Sequence, residues 1–444
     1  MIHQGAIGTG AKGGGDRPPR SAVSHGVGLA GLAGLVGWVA FAHALGLDGP
    51  YGALVAVAAC GGPMLAWSLI VDRVHRARTT GIDWTRRPRR LSATLDISLA
   101  KLAGLWATWG IIAILYATGR WYWQPPYLGA MRLLGVAAPV LFLLSIPYVL
   151  WLDRRLAEPR DGAWAFGRML MGQAPAEGVA GAEHRALVAG HLRGWAVKGF
   201  FTAFMIAIVP GNYAQVIHWD VAASLTDPAA LARGLIAFMF LIDVAFATVG
   251  YLMTFRWLDA HIRSANPYAA GWMAALICYP PFVLMGDGGP LDYHPGTAEW
   301  DHWLTGHPAA LAIAGGLLVA LTAVYAWATV AFGPRFSNLT HRGIITHGPY
   351  RWSRHPAYLA KNLFWWLATM PFLATTGSIV DAARNSIILA LVSGVYYWRA
   401  RTEEAHLSAD PVYRAYGAWM ARRAPVPRAI RRLTGGQAAP APAQ

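Results

Sequence analysis

Ten apolar stretches, each close to the ~20 residues that cross a bilayer as a helix, constrain this 444-residue chain more than any other feature. They run over 26–46, 52–72, 93–118, 132–152, 194–217, 230–254, 266–286, 308–332, 358–376 and 379–398. None alternates with the period of two that a lipid-facing barrel strand needs, and backbone in hydrocarbon must satisfy its own polar groups. The expected fold is therefore all-α: a polytopic helical membrane protein with about ten transmembrane helices.

The loops between the spans set an orientation. Arginine gathers in the connections from Arg73 to Arg90, Arg154 to Arg193, Arg256 to Arg263 and Arg335 to Arg354, and in the tail after Arg399. The alternate connections, around Asp48, Asp220 to Asp227 and Asp287 to Asp301, hold few or no basic residues. Cytoplasmic loops carry the basic excess, so both termini are expected in the cytoplasm of a cell or inner membrane. The same distribution accounts for the net charge of +15, which in a soluble protein would suggest nucleic acid; no nucleic-acid partner is expected here.

Several features have plain structural readings. Gly28, Gly31, Gly34 and Gly37 follow no strand, so they read as small residues that let helices approach, not as a phosphate loop. Cys60 and Cys278 lie far apart in apolar stretches and offer neither a disulfide framework nor a metal site. The outer loop from Gly286 to His307 holds Asp287, Asp292, His294, Glu299, Asp301, His302 and His307, yet matches no defined metal-ligand spacing; it reads as a solvated acidic loop and no metal is expected. Asp96 and Lys101 lie near a span end, from which they can snorkel. Asp243 is left inside a span without an assigned task.

Chemistry concentrates in two short motifs. His347-Gly348-Pro349-Tyr350-Arg351-Trp352-Ser353-Arg354-His355-Pro356-Ala357-Tyr358 precedes one span, and Arg401-Thr402-Glu403-Glu404-Ala405-His406-Leu407 follows the next. Two helices running out and back return the chain to the side it left, so the motifs should meet at one face. Gly348-Pro349 is a turn and Pro356 suits a first helical turn, which puts free N–H groups beside Arg351 and Arg354, a setting for an anion. Glu403 and Glu404 supply the opposite sign, although Arg399 and Arg401 stand four and three residues before a glutamate and could form ordinary helix-surface pairs with them. Asp410-Pro411 then starts another helix with Tyr413 and Tyr416 on one face.

Together, Gly-Pro-Tyr-Arg, Arg-His-Pro, Tyr358, Arg-Thr-Glu-Glu, Leu407 and the following Tyr-x-x-Tyr resemble the isoprenylcysteine carboxyl methyltransferase family, grouped with phospholipid methyltransferases. The resemblance runs from about Pro308 to Pro427. It implies an integral-membrane methyltransferase using S-adenosylmethionine. It also implies that Tyr350, Arg354, His355, Pro356 and Tyr358 form one wall of the cofactor site and Arg401, Glu403 and Glu404 the other, with Arg401 and Glu404 acting in catalysis. Lys361 and Asn362 stand where the family usually has a small glycine. The acceptor, a carboxylate or an amine, is expected to be a lipophilic small molecule or lipidated group reaching a cytoplasmic-face site through the membrane lipids. A carboxylate acceptor needs no general base, being ionised at pH 7.

The alternatives are an NADPH-dependent sterol-type reductase, whose members share a related scaffold, and a transporter without catalysis. Adjacent carboxylates suit an ammonium and repel a pyrophosphate, which favours the methyltransferase. Four regions are expected: a disordered tail over 1–24, a multi-span membrane region of unknown role over 25–300, the methyltransferase-like unit over 301–430, and a disordered tail over 431–444.

Overall fold

The computed structural model describes residues 17–175 and 178–425; the C-terminal tail expected over 431–444, and the N-terminal one before residue 17, lie outside them. Among the described residues fourteen α-helices follow one another: α1 His25–Leu45, α2 Gly49–Ala66, α3 Leu95–Thr118, α4 Tyr127–Asp153, α5 Gly162–Leu170, α6 Gly178–Ile217, α7 Val221–Ser224, α8 Pro228–Leu252, α9 Ala269–Leu276, α10 Trp300–Trp303, α11 Pro308–Phe332, α12 Pro356–Thr369, α13 Ile379–Leu407 and α14 Pro411–Arg423. Among the described residues the only paired strands are β1 Ser264–Ala265 and β2 Thr340–His341, antiparallel. The chain is an all-α polytopic membrane protein.

Eight of the described helices are long and apolar enough to cross a bilayer: α1 to α4, α6, α8, α11 and α13, with α2 running on to Val71 and α11 to Arg335. The stretches at 266–286 and 358–376 form shorter helices. Pro280-Pro281 and the glycines at 286, 288 and 289 break the first into turns after α9. The second stops at Met370, in a left-handed conformation (φ 43°) before Pro371, which cannot continue a helix. Conversely α6 starts sixteen residues earlier than expected, because charged residues such as Glu183, Arg185 and Arg193 hide its first turns from a hydropathy reading without preventing helix.

The centre of the bundle is α8, whose stretch from Leu241 to Tyr251 is buried on every side. It packs against α6 and α11, and a side chain at Gly250 would collide with the backbone of Phe336. The glycine stripe of α1 does what its spacing suggests. Gly28 lies on Val330 of α11, Gly31 on Met64 and Gly34 on Ala59 of α2, while Gly37 faces open space.

Lys101 does not snorkel. It is buried (4% exposed) between Asp153 at 2.5 Å and Asp161 at 3.1 Å, because the end of α4 and the N-cap of α5, which packs on α3, each supply a counter-charge invisible from position alone. Residues 18–24 are also engaged. Thr346 Oγ1 donates to the Pro19 carbonyl (2.6 Å), the Ala22 amide donates to the Ile344 carbonyl (2.9 Å), and Ser21 Oγ accepts from the Thr346 amide (3.3 Å).

Candidate active site

The hairpin of α12 and α13 brings the two motifs together. Residues 348–351 form a single 3-10 turn in which Gly348 takes a positive φ of 60° that lets the chain reverse, and Pro356 opens α12. At the far end Ser378 caps α13 by accepting from the Asp381 amide (3.2 Å), and α13 then runs unbroken to Leu407. That uninterrupted run carries Glu403 and Glu404 back beside the start of α12.

Glu404 is the hub of the meeting. Its Oε1 lies 3.2 Å from Arg354 and 3.1 Å from His355 Nε2, and its Oε2 lies 3.4 Å from Arg401. Glu403 accepts a hydrogen bond from the Tyr358 hydroxyl and stands 3.8 Å from His355 Nδ1. The rings of His355 and Tyr358 stack in parallel with centroids 5.6 Å apart, which orients both polar edges toward the glutamates.

This cluster forms the rim of a cavity of about 160 Å³. Of the residues expected at the site, Tyr350, Arg354, His355, Tyr358 and Glu403 line it. Pro356 is buried behind them as the first residue of α12, Glu404 acts from behind its partners, and Arg401 points outward with 62% of its side chain exposed. Burial first, then Tyr416 and Glu403, hold the Tyr350 phenol well above its ordinary range, so its ring is neutral. The α14 tyrosine Tyr416 donates to the Tyr350 carbonyl (2.6 Å), fastening the turn from outside.

The inner wall was not foreseen. Arg399 is 3% exposed and does not pair with Glu403; it turns inward, its guanidinium 5.5 Å from the ring centre of Tyr279, 5.0 Å from Tyr358 and 5.1 Å from Tyr396. One nitrogen donates to Asn338 Oδ1 (3.3 Å), while its Nε has no hydrogen-bond partner. Lys361 lies beside it, 5.5 Å from Tyr325, 5.2 Å from Trp365 and 5.8 Å from Tyr396. The signal available in the sequence was the charge itself: Arg399 and Lys361 each stand within or at the end of an apolar stretch, where a cation needs a reason.

The remaining wall is the loop over 335–345, and residues before 300 hold it. Arg342, 2% exposed, donates to the carbonyls of Gly250, Met253, Ala260, Pro334 and Phe336, which ties the loop to the end of α8. Arg335 pairs with Asp259 at 2.7 Å. Next to the loop, His347 lies under His25 with ring centroids 4.1 Å apart; burial, then the neighbouring imidazole, lowers its pKa to about 4.

With this geometry in hand, comparison with known proteins gives one answer. Residues 310–409 match the isoprenylcysteine carboxyl methyltransferase (ICMT) family. The match spans α11, the hairpin and the whole rim cluster, under a quarter of the chain. No curated protein and no solved structure matches. The hairpin and its rim thus carry the family's sequence, and the chain reads as an integral-membrane methyltransferase; Tyr279 on the cavity wall, and the end of α8 and residues 19–22 that hold the 335–345 loop, lie outside the match.

Proposed function

We propose that this protein transfers a methyl group from S-adenosylmethionine to a lipophilic acceptor at the cytoplasmic face of a cell membrane. The observation that carries the reading is the meeting of Arg354, His355, Glu403 and Glu404 at the rim of an aromatic, mostly buried cavity. A zwitterion with an ammonium and a carboxylate finds a partner of each sign in Glu403–Glu404 and Arg354. The rings of Tyr350 and Tyr358 offer faces for an adenine and for a sulfonium. Buried polar atoms on the wall support a polar guest: Arg399 Nε and Thr340 Oγ1 have no partner in the protein and gain one from a ligand.

When bound, S-adenosylmethionine supplies an activated methyl group for in-line displacement. The residues of the chain contribute placement and dryness. Tyr358, held by Glu403 and stacked on His355, fixes one edge of the site, and the packed loop over 335–345 excludes water from the other. Holding two reactants in near-attack geometry is worth several orders of magnitude in rate. Arg401 contributes through Glu404, which it touches from outside the cavity. The arginine-rich loops on the motif side support a rim that faces the cytoplasm, with a lipophilic acceptor arriving through the bilayer.

The test is calorimetric titration of the detergent-solubilised protein with S-adenosylmethionine and, separately, with NADPH. Binding of S-adenosylmethionine, together with transfer of its labelled methyl group to a total membrane-lipid extract, supports the proposal. Saturable NADPH binding without S-adenosylmethionine binding overturns it in favour of a reductase.

A further inference from the structure

Asp243 belongs to the completely buried stretch of α8, outside the family match, yet it reaches the site. Its carboxylate accepts hydrogen bonds from the Tyr325 hydroxyl (2.6 Å) and from Thr329 Oγ1, both on α11 and both lining the cavity. The ring of the same Tyr325 lies 5.5 Å from Lys361 Nζ, so the aspartate and the lysine flank one side chain. Among the described residues Lys361 has no ion-pair partner within 4.0 Å; its near surroundings are rings. An ammonium so placed requires a counter-charge, and Asp243 stands across the Tyr325 side chain from it.

We propose that Asp243 is a positioning residue of the methyl-transfer site: it fixes Tyr325 and keeps Lys361 in place as a cation on the cavity's inner wall. The cavity then has both signs at its rim, Arg354 beside Glu403, and only cations, Lys361 and Arg399, within. The inner wall donates hydrogen bonds and carries positive charge, so it receives an acceptor whose polar end presents oxygen and turns away one that ends in a cationic amine. This assignment of acceptor chemistry rests on the proposed function, whereas the hold of Asp243 on Lys361 does not.

The experiment therefore has two readouts. The full-length protein and its D243N, D243E and Y325F variants are treated with an amine-reactive ester and mapped by mass spectrometry, with Lys198, whose Nζ donates to Thr254 Oγ1 (2.5 Å), as an internal reference. Labelling of Lys361 is expected to rise at least fivefold in D243N, to rise less in D243E, and to leave Lys198 unchanged. Unchanged Lys361 labelling in D243N, or an equal rise at Lys198, overturns the proposal. In the second readout, labelled methyl transfer to the lipid extract is measured for D243N, K361M and the double variant. Each single variant is expected to raise the apparent KM for lipid about tenfold with S-adenosylmethionine affinity within twofold of wild type, and the double variant to lose no more than either alone. Multiplicative losses overturn the coupling. If the wild type transfers no methyl group, the proposed function falls and the labelling result still decides the role of Asp243.

Discussion

One charge cluster in each half of this molecule invites comparison, and the two differ in how completely they close. In the N-terminal half Lys101 is held by Asp153 and Asp161, and Ser98 donates to the second oxygen of Asp153 (2.9 Å), so the group satisfies itself. In the C-terminal half Arg354, His355, Glu403 and Glu404 are as tightly spaced, but three of them also face a cavity. A closed cluster can only hold helices together. One left open on a single side has charge to offer a guest, and that distinction, more than the presence of charge, separates scaffold from site.

The largest expected effect breaks the closed cluster. Lys101→Met strands two carboxylates in the bundle, and removing one partner of a buried pair costs about 3 to 5 kcal/mol. Thermal unfolding in detergent should show a strongly destabilised protein; near-wild-type stability would mean that the cluster is not the closed unit described. Next comes the open cluster. Glu404→Gln should weaken S-adenosylmethionine binding by about ten- to hundredfold, the loss of one charge-assisted partner worth ~1.5 to 3 kcal/mol, with little change in unfolding temperature. Glu299→Gln, in the loop at the opposite end, should leave affinity untouched. An unfolding temperature that falls as far in Glu404→Gln as in Lys101→Met would erase the contrast.

A smaller effect sharpens the boundary of the site. The guanidinium of Arg401 is mostly exposed at 3.4 Å from Glu404, and exposed pairs contribute roughly 0 to 1 kcal/mol. Arg401→Ala should thus change S-adenosylmethionine affinity less than about fivefold by the same titration; a loss matching Glu404→Gln would put Arg401 at the ligand. The smallest effect concerns pH. His347 has its pKa lowered from 6.5 to about 4, so between those values the unfolded chain takes up a proton that the folded chain refuses. Stability therefore falls as pH falls through that window. The decline in unfolding temperature from pH 7 to pH 5 should be shallower in His347→Phe, and an identical slope would assign the acid sensitivity elsewhere.

Much of this was legible from the chain alone. Hydropathy and the turn signals at Gly348-Pro349 and Pro356 were enough to bring Tyr358 to Glu403, because a hairpin returns its ends whatever its neighbours do. The glycine spacing of α1 announced a close approach for the same local reason. The contribution of Asp243 was illegible since its partners, Tyr325 and Thr329, lie more than eighty residues away on another helix, and no periodicity encodes which helices touch. Arg399 was read as a surface partner of Glu403 because i,i+4 spacing favours that pairing. Its rotation inward depends on Tyr279 and Asn338, which belong to segments whose placement only the packed bundle decides. The extent of α12 was overestimated for a simpler reason: an apolar count passes over Pro371, while the backbone does not.

The strap formed by residues 18–24 has a consequence for how the protein comes into being. Ser21 and Pro19 are made well before the residue they grip, Thr346, which is more than three hundred positions away. During synthesis these contacts must wait until nine further α-helices longer than four residues, α1 to α6, α8, α9 and α11, have been made and the last loop arrives. Contacts of such sequence separation form late because the chain between their ends must be ordered before they can close. A loop of the cavity wall is thus tied down by an early part of the polypeptide meeting a late one, and a nascent chain cannot display a finished site before its bundle is complete.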